Sequence, residues 1–121
     1  MQREELYLQD IIESINFIRA FLQGVVEREF LESEPLKSAV IHKIMIIGEA
    51  SARLTEETKI KYPNTPSKKI VGLRNITAHA YFSIDWEVVW STINNQLEPL
   101  QNKVFEILKK EFPDFELRNK S

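Results

Sequence analysis

The chain has 121 residues, 43% of them apolar, with 16 basic and 18 acidic side chains and no cysteine. This excludes a disulfide scaffold and a thiol nucleophile, and the net charge of −2 excludes binding to nucleic acid through bulk positive charge. Length gives one domain, residues 1–121, large enough to bury a core unaided; with no signal peptide and no apolar run of bilayer length, a cytoplasmic protein without a membrane partner is expected.

Apolar residues recur at helical spacing from the start. Leu8, Ile11, Ile12, Ile15, Ile18, Leu22 and Val25 predict a first helix, which Gly24 weakens or ends. The stretch from Glu27 to Ser33 is short and charged, with Phe30 and Leu31 as an apolar anchor. Ser33-Glu34-Pro35 reads as a helix start: a cap, an acid in the first turn, and a proline where no N–H is needed. The helix after it carries Leu36, Val40, Ile44, Ile47 and Leu54 on one stripe and Ile41, Met45, Gly48 and Ala52 on another. Two apolar stripes predict a central helix or one that packs on a second copy of the chain.

Pro63 and Pro66 bracket a turn, and a helix is expected to restart near Ser67. Ser83 or Asp85 is the next cap candidate. The last helix shows a seam at Trp86, Trp90, Ile93, Leu97, Leu100, Val104 and Ile107, with steps of 4, 3, 4, 3, 4 and 3. Pro99 should kink it, and the tail from residue 113 to 121 should fray. The expected fold is all-α, an up-and-down bundle of four main helices with a kinked last helix.

Charge is distributed unevenly. No acid lies between Glu57 and Asp85, a window holding Lys59, Lys61, Lys68, Lys69 and Arg74. A basic island on an acidic chain can steer an anion to one place, though a solvated lysine-rich loop would look the same.

Inside that window lies the octapeptide Arg74-Asn75-Ile76-Thr77-Ala78-His79-Ala80-Tyr81. Arg74 can grip a phosphate with two N–H groups. His79 can move a proton near neutral pH. Asn75 offers a donor and an acceptor, and Tyr81 a phenol. On a helix turning about 100° per residue, Arg74 and Tyr81 share one face, and Asn75 and His79 a neighbouring one. His79 and Tyr81 would point apart, so if they serve one ligand the helix must end or distort near Ala80. Structural roles remain open for each: Arg74 paired with an acid such as Glu49, His79 as a core histidine, Tyr81 as a packing residue with its hydroxyl in water. His42 reads as a structural or surface residue. Two histidines 37 positions apart without cysteine make no zinc site, so no metal and no cofactor are expected.

The arginine, the adjacent polar residue and the histidine resemble the signature of HEPN domains. The longer form Arg74-x4-His79-x-Tyr81 resembles their HepT-like branch. Ile47-Gly48-Glu49-Ala50, Tyr62-Pro63, Gly72-Leu73-Arg74-Asn75 and the stretch from Tyr81-Phe82 to Trp90 extend the resemblance from about Leu6 to Leu108. One departure is Ser67, where the family usually has tryptophan. The resemblance implies the ribonuclease toxin of a toxin–antitoxin pair, independent of metal, and a nucleotidyltransferase antitoxin that transfers adenylyl groups from ATP to the motif tyrosine. Carried over, Arg74 and His79 would be catalytic, Asn75 supporting, and Tyr81 the modified residue.

The residues are compatible with that chemistry. Metal-free RNA cleavage needs a base for the 2′-OH, an acid for the leaving oxygen and a cation for the developing charge. One chain offers one well-placed histidine. A two-fold homodimer would bring two His79 and two Arg74 around one cleft, with Lys68 and Lys69 lining a basic groove for RNA. Adenylylated Tyr81 would put bulk and negative charge there. The competing expectation is a non-catalytic helical module that docks a nucleotidyltransferase and is modified by it; a plain dimerisation bundle ranks last.

Overall fold

A computed structural model describes residues 3–65, 71 and 81–114, and within them every regular element is an α-helix. In chain order these are α1 (Arg3–Leu22), α2 (Glu27–Glu32), α3 (Glu34–Ala52), α4 (Glu56–Lys61) and α5 (Trp86–Glu111). The all-helical expectation holds. Two short helices, α2 and α4, stand where the sequence showed too few turns for a period to register. Residues 115–121, where fraying is expected, lie outside the described residues.

Local sequence explains the helix ends. Gly24, at φ +76°, takes the left-handed conformation after α1, and Val25 N–H bonds back to the Leu22 carbonyl at 2.9 Å. An added Cβ at Gly24 would meet nothing within 4 Å, so backbone conformation alone favours glycine there. Ser33 Oγ accepts the Leu36 N–H at 3.2 Å and starts α3, as the Ser-Glu-Pro triplet predicts. Asp85, not Ser83, caps α5: its Oδ1 accepts from Glu87 N–H and Val88 N–H at 3.1 and 3.2 Å. The helix α5 continues through Pro99 for 26 residues.

The core is built mainly by α1 on α3, with α5 against α1. Ile11, Ile12, Ile15 and Ile18 of α1 meet Val40, Ile41, Ile44 and Ile47 of α3 and Leu97, Leu100, Val104 and Ile107 of α5 in one cluster. Each such burial contributes about 1.5–3 kcal/mol. The seam of α5 is therefore used within the chain from Leu97 onward, while Trp86, Trp90 and Ile93 are partly buried against the same core. Leu54 is buried but lies beyond α3, which ends at Ala52. Phe30 of α2 is fully buried, so the short charged segment supplies a core residue at the position that reads as its apolar anchor. A polar strut joins α1 to α5: Arg19 donates to Gln101 Oε1 at 2.8 Å, and Gln101 Nε2 donates to Asn16 Oδ1 at 2.9 Å.

Helix α4 is held at both ends by carboxylates from distant helices. Glu4 accepts from Thr55 N–H at 2.7 Å and from the Thr58 hydroxyl at 2.8 Å. At the other end the buried Tyr62 donates its hydroxyl to Glu111 Oε2 at 2.7 Å, and Lys61 pairs with the same oxygen at 2.7 Å. Burial, and then the Glu111 carboxylate, push the Tyr62 phenol up to about 12 from its ordinary 10.0. A raised phenol pKa means the fold favours the neutral form. Its contribution is full below pH about 10 and is lost as pH rises through about 12. The melting temperature should therefore fall between those pH values, and less steeply in Tyr62→Phe. Equal slopes in paired thermal melts would contradict this account.

Candidate functional site

Of the octapeptide, Tyr81 is the member that the structure describes. Lys68, Lys69, Arg74, Asn75 and His79 lie outside the described residues. Tyr81 is helical and the next two residues, Phe82 and Ser83, form a turn. Ile84 N–H closes it on the Tyr81 carbonyl at 3.3 Å. The helix end or distortion expected near Ala80 lies outside the described residues; the turn that is described begins after Tyr81, at Phe82.

The Tyr81 ring is half-buried and the hydroxyl is directed to the start of α3. Its ring packs edge-on against Trp86, with centroids 5.5 Å apart. Trp86 in turn meets Phe30 at 6.1 Å, and Phe30 meets Trp90 at 5.2 Å. The phenol is thus braced on the core by aromatic contacts, each worth about 0.5–1.5 kcal/mol beyond buried area. Its hydroxyl is not simply in water. It donates to Glu34 Oε2 at 2.8 Å and lies 3.4 Å from Ser38 Oγ.

Glu34 has three reasons to stay ionised. The Tyr81 hydroxyl bonded to it holds its carboxyl below the usual range, and Lys37 acts in the same direction. The first turn of α3 also favours negative charge. Lys37 Nζ stands 3.4 Å from Glu34 Oε1 and 5.3 Å from the Trp86 ring centroid. Tyr81, Glu34, Lys37 and Trp86 therefore close a ring of contacts at the end of the bundle. Phe82, 89% exposed, stands beside it.

Sequence reasoning singled out Tyr81 but not Glu34, Lys37 or Ser38. Glu34 was legible only as a first-turn acid, and nothing local couples position 34 to a residue 47 places on. Glu49, one structural partner considered for Arg74, pairs with Arg53 at 2.8 Å. His42 is exposed, as a surface reading expects. A cleft of about 280 Å³ between α1 and α5, lined in part by Ile18, Arg19, Trp90, Ile93 and Leu97, does not include Tyr81. No helix among the described residues is long and apolar enough to cross a membrane.

Residues 11–107 match the family described as Ribonuclease HepT-like. The chain belongs to that family. Similar proteins include a candidate RNase of Methanocaldococcus jannaschii, 37% identical over 98 residues, which cover 81% of this chain and 90% of that protein. A probable ribonuclease HepT of Thermococcus cleftensis is 36% identical over 86% of this chain and 94% of its own length. A candidate RNase of Caldanaerobacter subterraneus subsp. tengcongensis is 32% identical over 92% of this chain and 99% of its own. No solved structure matches the chain. The HepT-like match spans α2 to α4 whole, α1 from Ile11 onward and α5 as far as Ile107, so the ring around Tyr81 lies inside the family's domain.

Proposed function

We propose that this chain is the toxin of a toxin–antitoxin pair, an endoribonuclease acting on tRNA or mRNA in the cytoplasm without a metal ion. A nucleotidyltransferase antitoxin silences it by adenylylating Tyr81. The observation that carries the reading is the unbroken HepT-like match from residue 11 to residue 107, which contains the whole octapeptide.

In this reading His79 takes the proton of the RNA 2′-OH, and the His79 of a second copy protonates the leaving oxygen. Arg74 stabilises the charge that develops on the phosphate, Asn75 supports both, and Lys68 and Lys69 hold the RNA backbone. One chain has one His79, so the active unit is a two-fold homodimer. Adenylylation adds an anionic phosphate and a base to Tyr81, which excludes RNA by bulk and by charge. The hydroxyl at the surface and the exposed Phe82 beside it support access by a partner enzyme.

The test is cleavage by the purified chain of total tRNA and of mRNA in the presence of a chelator. Fragments ending in 2′,3′-cyclic phosphate are expected, because the 2′-OH is the nucleophile. Intact RNA from a chain that the antitoxin labels at Tyr81 would instead favour the non-catalytic docking module.

A further inference from the structure

We propose that Glu34 is the general base for nucleotidyl transfer onto Tyr81. This rests on the reading of Tyr81 as the acceptor and adds the group of this chain that receives its proton.

The geometry has the form that general-base catalysis needs. The Tyr81 hydroxyl donates directly to Glu34 Oε2 at 2.8 Å, so the proton already points at its acceptor. The carboxylate is fixed from its other oxygen by Lys37 at 3.4 Å. Lys37 is set by Trp86, and Trp86 packs on the Tyr81 ring, so nucleophile and base are located by the same contacts. Ser38 Oγ, 3.4 Å from the phenol oxygen, is placed to donate to it as negative charge develops there.

An anchoring role alone explains the arrangement less well. The Glu34 side chain is 67% exposed, and hydrogen bonds or ion pairs at such positions add little stability. The same exposure leaves the phenol–carboxylate pair open to an incoming nucleotide. In the transfer, Tyr81 Oη attacks the α-phosphorus of ATP held by the nucleotidyltransferase. The Oη–P bond forms as the bond from the α-phosphorus to the bridging oxygen breaks. Pyrophosphate leaves with that electron pair, and the phenolic proton passes to Glu34 and then to water. The product oxygen has no proton to donate, and its phosphate faces the Glu34 charge, so the modified side chain is released from α3.

The test uses the full chain, the cognate nucleotidyltransferase, ATP and Mg²⁺, with transfer followed by intact mass. Wild type, Glu34→Gln, Glu34→Asp and Tyr81→Phe are compared. Glu34→Gln should lower kcat about 100-fold or more at pH about 7 with the KM for ATP within about twofold. Its log kcat should rise with pH at a slope near one, where wild type is flat, and Glu34→Asp should recover part of the rate. If Glu34→Gln reacts at the wild-type rate, or with the wild-type pH profile, while Tyr81→Phe stays unlabelled, Glu34 is not the base and Tyr81 is still the acceptor. If wild type takes no label, or Tyr81→Phe takes it equally, the acceptor reading fails and this inference fails with it.

Discussion

His79→Ala should abolish RNA cleavage and the growth arrest that follows from it, with Arg74→Ala close behind. Loss of a proton-transfer group costs about 100- to 10,000-fold in rate, and loss of a preorganised cation at a developing phosphate charge costs about 100- to 1,000-fold. Both losses should appear in kcat, because in the proposed mechanism both groups act most strongly in the transition state. Mixing sharpens the expectation. If one cleft needs His79 from both copies, random exchange of wild type with an equal amount of His79→Ala leaves about one dimer in four intact. Cleavage per wild-type chain should then fall to about half. Unchanged cleavage per wild-type chain after exchange would mean that each chain works alone, and wild-type cleavage by His79→Ala itself would remove the histidine from the mechanism.

Phe30→Ala should be the most damaging single truncation among the described residues. The side chain is fully buried and touches both tryptophans of α5, with ring centroids 6.1 and 5.2 Å away. Removing a buried phenylalanine costs about 3–5 kcal/mol, against a total of about 5–15 kcal/mol for a domain of this kind. With an m-value of about 1.5 kcal/mol/M, the urea midpoint should drop by about 2–3 M. His79→Ala should leave the midpoint near that of wild type, which separates loss of fold from loss of chemistry. A Phe30→Ala midpoint within about 0.5 M of wild type would mean that the cavity collapses without cost.

The two residues differ in how they could be found. His79 stands out in the sequence because it shares eight positions with Arg74, Asn75 and Tyr81 in a window free of acid. Phe30 is one aromatic in a charged six-residue helix, too short for its period to be measured. Its weight comes from what α5 brings against it.

The sequence by itself determined the helices long enough to repeat their apolar spacing. It determined the ends that carry their own caps: the turn at Gly24, the start at Ser33 and the cap at Asp85, which stood as one of two candidates. It also carried the family, because the octapeptide and the motifs around it are contiguous patterns in the chain. These signals are local, and backbone hydrogen bonding and side-chain periodicity express them within a few residues. Only the tertiary structure decided what meets across the chain. It set Glu4 on Thr55 and Thr58, Tyr62 on Glu111, and above all Tyr81 on Glu34, 47 positions away. Such pairs leave no period in the sequence, because their geometry is fixed by the burial of α1, α3 and α5 on one another and not by the residues that meet.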